Sequence, residues 1–319
     1  MKNAPARLAL PLLALLLALP SGGCKLPYQI LSKLVAPKAK PTPVPTPIPA
    51  QAVAAEFRSI EDERVAGDSQ TPRATLTVTL PGTKQADVAA MRVVTKKAVD
   101  DLGTSLVPEN AAEAQFESVS AGDSYPGQEP PSLSVSVPMK TASRKAKAVN
   151  ELEADVELYM PALDPAALVT VPKVLGEAGK PIVNPVLQAA GVEITILSKE
   201  QIEAEKKAYG EKQRGESKKM GLEGETLDRI VGLAVEGFLS SSWIDLWLKV
   251  NDPKGALFDI VFLDAEGKVQ GANQSTEGGF LGLDPHGGEV GPDWGLQVRL
   301  KTPKTFARYT FTLKDVALP

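Results

Sequence analysis

The residues best equipped for chemistry lie in one short stretch, Leu283-Asp284-Pro285-His286-Gly287-Gly288-Glu289-Val290-Gly291-Pro292-Asp293-Trp294. One imidazole and three carboxylates on a glycine-rich connection can ligate a hard cation, because oxygen donors on mobile backbone suit calcium. Asp284, His286, Glu289 and Asp293 are therefore candidate metal ligands, against the alternative of an ordinary polar loop, since their spacing matches no EF-hand. A Ser-His-Asp triad would have to use His286, the only histidine, and no GxSxG elbow is present to offer the serine. A single histidine also closes the two-histidine zinc motifs. A single cysteine, Cys24, closes internal disulfides, CxxC redox chemistry and Cys-rich zinc sites. No GxxxxGK[ST] phosphate loop occurs, and no cofactor is expected.

Two further groups bear on function. Asp100 and Asp101 precede Gly103 and can hold a cation at a strand end; the alternative is turn chemistry, with the carboxylates bonding nearby backbone amides. In Trp243-Ile244-Asp245-Leu246-Trp247-Leu248-Lys249-Val250, strand alternation with Ile244, Leu246, Leu248 and Val250 inward sends Trp243, Asp245, Trp247 and Lys249 outward. Two indoles ~13 Å apart on an open face would stack on sugar rings or anchor a protein. The alternative packs them under the segment Leu227 to Leu239 or at a junction between domains. Paired carboxylates for glycosidic hydrolysis are a property of the fold and not of spacing in the chain, so 39 acidic residues decide nothing by themselves.

The N-terminus is more specific. Lys2 and Arg7 form a basic start, Leu8 to Leu19 an apolar run, and Ser21-Gly22-Gly23 the small residues before a cut. About a dozen apolar residues are too few to span a bilayer, which takes roughly 20. Cys24 directly after Gly22-Gly23 resembles the lipobox of bacterial lipoproteins, with Ser21 where that pattern prefers Leu. The resemblance covers the first two dozen residues and implies that residues 1–23 are removed and that the Cys24 sulfur carries lipid. An ordinary signal-peptidase cut with an incidental cysteine is the alternative. Lys25 stands where an Asp would mark inner-membrane retention, so the resemblance favours an outer-membrane address in a cell with two membranes.

From Pro37 to Pro49 six prolines fix φ near −65° and remove backbone donors, which predicts an extended polyproline II tether of roughly 40 Å, with a proline-rich ligand segment as the alternative. Residues 24–50 thus read as anchor and spacer. Lys25, Lys33, Lys38 and Lys40 lie where they can meet anionic headgroups.

Without Lys2 and Arg7 the chain keeps 33 basic residues against 39 acidic, a net charge of −6, and no basic stripe of the kind nucleic-acid binders show. Beyond Ala50 the dominant period is two. Leu76, Val78 and Leu80 alternate with threonines, and Leu133, Val135 and Val137 with serines. Leu152, Ala154, Val156, Leu158 and Met160 alternate with Glu151, Glu153, Asp155, Glu157 and Tyr159, a strand whose second face must be wet. Further strands are expected at 192–197, 244–250, 257–263, 296–300 and 307–313, separated by turns such as Asp252-Pro253-Lys254-Gly255 and Asp264-Ala265-Glu266-Gly267. Ser198 and Gln201 occupy capping-box positions before a charged segment, which predicts a solvated helix over 198–220 that Gly210 and Gly215 interrupt or end early. Residues 227–239 read equally as a buried helix or a strand pair.

The expected body is mostly β: two antiparallel immunoglobulin-like β-sandwiches, residues 51–190 and 191–319, joined by the charged helix, with one large sandwich carrying that helix in a loop as the alternative. Ala98-Val99-Asp100-Asp101-Leu102-Gly103-Thr104-Ser105-Leu106 and the ending Phe311-Thr312-Leu313-Lys314-Asp315-Val316-Ala317-Leu318-Pro319 resemble exported bacterial β-sandwich proteins with no assigned activity. The expected function is a non-catalytic binding or structural module of the cell envelope, held to the membrane through lipid on Cys24, with an envelope protein or polysaccharide as partner. The competing functions are a carboxylate-dependent hydrolase of envelope polysaccharide and an accessory subunit of a secretion or assembly complex. An exposed apolar strand edge would mark the last of these.

Overall fold

A computed structural model describes residues 49–63, 73–119, 132–239, 244–286 and 288–319. The export segment, Cys24, the tether before residue 49 and Trp243 fall outside them. Along the chain the strands are β1 (Gln51–Ala52), β2 (Glu56–Glu63), β3 (Arg73–Lys84), β4 (Ala90–Asp100), β5 (Glu117–Ser118), β6 (Ser132–Lys140), β7 (Ala148–Tyr159) and β8 (Leu168–Val171). They continue with β9 (Glu193–Ile196), β10 (Leu246–Asn251), β11 (Leu257–Leu263), β12 (Val269–Gln270), β13 (Ala272–Glu277), β14 (Phe280–Pro285), β15 (Gly295–Leu300) and β16 (Phe306–Ala317). The protein is mostly β, with antiparallel pairing throughout apart from the parallel pair β1–β16.

Period-two sequences build this directly. In β6 the residues Leu133, Val135, Val137 and Met139 are buried while the intervening serines are exposed. They meet Leu76, Val78 and Leu80 of β3 on one side and Leu152, Ala154, Val156 and Leu158 of β7 on the other, forming a single apolar core. That core lies between a sheet of order β1-β16-β7-β4-β5 and a sheet of order β2-β3-β6. A second core, with Ile194, Leu248, Ile260, Phe262, Leu283, Leu296 and Val298, lies between sheets β13-β14-β10-β9 and β12-β11-β15-β8.

The sheets do not divide at residue 190. β8, which precedes that point, pairs with β15, and β16, at the end of the chain, pairs with β7 over eleven positions. One sandwich is therefore built from 51–159 and 306–317, and the other, 168–300, is inserted between β7 and β16. A boundary placed at the charged segment follows local composition, whereas these pairings join residues from about 125 to about 170 apart in the chain.

The helices also depart from expectation. α1 (Pro185–Ala190) is short; α2 (Lys199–Lys219) and α3 (Gly224–Gly237) are consecutive. Ser198 and Gln201 make the expected capping box, and residues 227–239 are mainly helix α3. The pair does not connect two sandwiches: it interrupts β9 and β10, which are hydrogen-bonded to each other. Nor do the glycines break α2. At Gly210 a β-carbon would stand 2.8 Å from Val235 Cγ2, so the missing side chain is what lets α3 approach; at Gly215 the space is open. Gly210→Ala is expected to lower stability by about 1–2 kcal/mol, the overpacking cost exceeding the gain in helix propensity, whereas Gly215→Ala raises it by about 0.5–1 kcal/mol. Paired thermal melts would show shifts of opposite sign.

The two sandwiches meet through aromatic packing. Tyr159 of β7 is fully buried, stacks on Phe258 of β11 at 3.6 Å between ring centroids and donates its hydroxyl to Leu300 O at 3.0 Å. Phe116 and Phe306 pack around the same ring pair.

Candidate functional site

The face predicted to expose two tryptophans is covered. Leu246 and Leu248 point into the second core, as alternation requires, and Trp247 points the other way, but it is only 5% exposed. Leu197, Phe238, Leu239 and Phe280 enclose it, with Ile202 and Tyr209 of α2 packed alongside. The α2–α3 insertion therefore roofs this side of β10, and the sugar-stacking arrangement does not form around Trp247. Of the remaining candidates, Asp245 accepts from Val290 N at 3.1 Å, and Lys249 pairs with Glu205 of α2 at 2.7 Å while lying 5.7 Å from the Phe280 ring centroid.

The loop carrying His286 is ordered by hydrogen bonds among its own neighbours. Asn273 Nδ2 donates to Asp284 Oδ2 at 3.0 Å, which turns Asn273 Oδ1 toward His286 Nε2, also at 3.0 Å. That amide orientation makes Nε2 the protonated ring nitrogen. Asp293 faces Lys173 at 3.3 Å. Asp284 and His286 thus share Asn273 while Asp293 faces Lys173, and among the described residues no group of three or more His, Cys, Asp or Glu side chains is placed to hold a metal ion. Asp100 and Asp101 follow the turn chemistry: Asp100 Oδ1 accepts from Leu102 N at 3.0 Å and Thr104 N at 2.7 Å, and Asp101 accepts from Lys147 N at 3.0 Å. Gly103, at φ +81°, supplies the left-handed position this turn needs.

The acidic face of β7 is not simply wet. Glu151 pairs with Lys97, Glu153 with Lys96 at 3.5 Å, and Glu157 with Arg92. Asp155, only 1% exposed, is held by Lys96 at 2.6 Å, by Thr310 Oγ1 at 2.5 Å and by the Arg308 guanidinium. Burial alone would raise the Asp155 pKa; hydrogen bonds from Lys96, Thr310 and Arg308, with the Arg308 charge, outweigh it and leave the carboxyl below its ordinary value. These carboxylates tie β4, β7 and β16 together.

At the junction the balance goes the other way. Burial pushes the Asp259 carboxyl up, and Arg299, 3.4 Å away, offsets this only in part. Burial and the nearby Asp259 both raise the Tyr159 phenol. Tyr159 is fully buried here, and Arg299 is 8% exposed.

What the structure does open is the edge of β8, which sequence patterning had not singled out. β8 is Leu168-Val169-Thr170-Val171, bound to β15 on one side and, among the described residues, to no strand on the other. A cleft of about 190 Å³ lies against it, lined by Val169, Thr170, Val171 and Pro172 together with Glu177, Ile182, Val183 and Asn184. Val183 is 78% exposed. Among the described residues β6 (Ser132–Lys140) is a second open edge, longer than β8 and carrying only Lys140 and Pro138 against pairing; the remaining edges are guarded. β2 carries Glu56, Arg58, Glu61, Asp62 and Glu63, and β1, β5 and β12 are two residues long. β13 is polar, and the outer side of β9 is partly closed by Pro181 and by Ile182 N donating to Ile194 O at 2.8 Å. Charge, brevity and cover are the usual protections against stray strand pairing, and β8 has only its brevity. The β-branched run before Pro172 was a visible signal for a strand; its place at an edge depends on pairing with residues more than 120 positions later.

No family model, curated protein or solved structure matches this chain.

Proposed function

We propose that the chain is a lipid-anchored protein of the bacterial cell envelope whose body is a non-catalytic binding module, taking an extended segment of a partner protein along β8. The anchoring half of this reading rests on the lipobox-like residues before Cys24 and the proline spacer behind them. The binding half is carried by one observation: β8 is an uncharged edge of four residues, unpaired among the described residues, with a small cleft of mixed polarity beside it. An added strand satisfies the free backbone groups of such an edge, and a side chain entering the cleft supplies selectivity. At about 190 Å³ the cleft suits one side chain of moderate size, with Val169, Val171, Ile182 and Val183 for apolar contact and Thr170, Glu177 and Asn184 for polar contact. The polysaccharide reading loses its main support with the burial of Trp247.

Selection of a displayed library of extended peptides on purified residues 49–319 tests the binding half. The expected result is enrichment of alternating β-branched sequences whose affinity falls at least tenfold, about 1.4 kcal/mol, on Val183→Asp. Because Val183 is largely exposed, the variant should melt at an unchanged temperature. Failure to enrich, or equal binding to the variant, would remove β8 as the site.

A further inference from the structure

We propose that the two sandwiches are immunoglobulin-like units that have traded their last strands, and that β16 is a closing strand: the first sandwich stays open until the second has folded and delivered it. In the immunoglobulin pattern one sheet runs A-B-E-D and the other C-F-G, with a C′ strand beside C in some members. The order β2-β3-β6 with β16-β7-β4 follows A-B-E with G-F-C, β5 lying in the C′ position. The order β9-β10-β14-β13 with β12-β11-β15-β8 follows A-B-E-D with C′-C-F-G. In a plain tandem, each F strand would lead into its own G strand. Here β7, the first F strand, leads into β8, which fills the G position of the second sandwich, and β15 leads into β16, which fills the G position of the first.

The order of closure follows from this exchange. All strands of the second sandwich lie within 168–300, whereas the first lacks the neighbour of β7 until Phe306 and its successors arrive. β16 brings buried Phe311 and Val316 to the first core, the Arg308 and Thr310 partners of Asp155, and the pairing that β1 depends on. Joining β7 to β16 in an unfolded chain closes a loop of about 150 residues; folding the insertion first shortens it to the two crossovers. Those crossovers are already clasped. Thr302 Oγ1 donates to Asp164 Oδ2 at 2.7 Å, and Met160 N donates to Thr305 O at 2.7 Å, so the folded insertion places β16 at the edge of β7. Until β16 exists the first sandwich therefore stays open, the state in which a chain segment is threaded through an export channel. That use rests on the export reading above, whereas the folding order does not.

Pulse-labelled hydrogen exchange during refolding of the purified full chain tests the order. Amides of β10, β11 and β14 should gain protection first, and those of β4 and β7 later and together with β16. Thr302→Val, which removes the clasp hydroxyl, should slow protection of β4 and β7 about fivefold and leave the second sandwich at its original rate. Protection of β4 and β7 before β16, or equal slowing of both sandwiches by Thr302→Val, would overturn the proposal. Because the readout is folding alone, failure of the anchoring or strand-binding readings would leave its result unchanged.

Discussion

Asp155→Asn is expected to cost about 3 kcal/mol and lower the melting temperature by roughly 6–12 °C. The carboxylate is the meeting point of Lys96, Arg308 and Thr310, hence of β4, β7 and β16. Replacing it with an amide leaves Lys96 only its longer contact to Glu153 at 3.5 Å and Arg308 only Glu157 at 3.8 Å. The figure sits at the low end of the range for broken buried pairs because Lys96 and Arg308, 37% and 27% exposed, keep access to water. The same residue sets a pH dependence. Its folded pKa lies below the ordinary carboxylate value, so the stability it contributes is complete above about pH 4–5, the unfolded range, and is lost as pH falls through the folded value. Melts of the native chain and Asp155→Asn should therefore differ most near neutrality and converge in acid. A constant difference down to the acid limit would show that the carboxylate charge is not what binds these strands.

Tyr159→Ala should be costlier, about 4 kcal/mol, since a fully buried ring is removed from the point where the sandwiches touch. Stacking on Phe258, packing against Phe306 and the hydroxyl bond to Leu300 O all go at once. Tyr159→Phe isolates the last of these and should cost about 1 kcal/mol, the unmet carbonyl being its main component. Denaturant unfolding followed at β7 and at β11 gives a sharper reading than total stability: the native chain should show one shared transition, and Tyr159→Ala two. Coincident transitions in the alanine variant would mean that the strand exchange alone couples the sandwiches.

The eight strand regions anticipated from alternation all lie within or against observed strands, because a half-buried strand writes its burial directly into a period of two. The missed strands broke that period for local reasons. β4 carries bulges at Thr95/Lys97 and Val99/Asp100, which shift the inward phase and set Lys96 beside Lys97, and β2 is a charged edge with a bulge between Phe57 and Ser59. Domain limits were not legible at all, since they are set by the non-local pairings β7–β16 and β8–β15. Gly210 shows a related limit: as a propensity it reads as a break, and only the presence of Val235 across the helix pair makes it a contact. For the candidate site, alternation placed Trp247 on the correct side of β10, but whether that side is open depended on α2 and α3, a separate segment whose packing no period in β10 encodes. The turn reading of Asp100 succeeded because the carboxylate and the amides it binds are within four residues of each other.

Site-specific photocrosslinking from position 183 of the full-length chain in intact cells, compared with position 268 at the opposite edge of the same sheet, tests the proposed binding edge most directly. A discrete protein adduct from 183 that is absent from 268 is the predicted result; no adduct from 183, the same adduct from both positions, or capture of polysaccharide alone would contradict it.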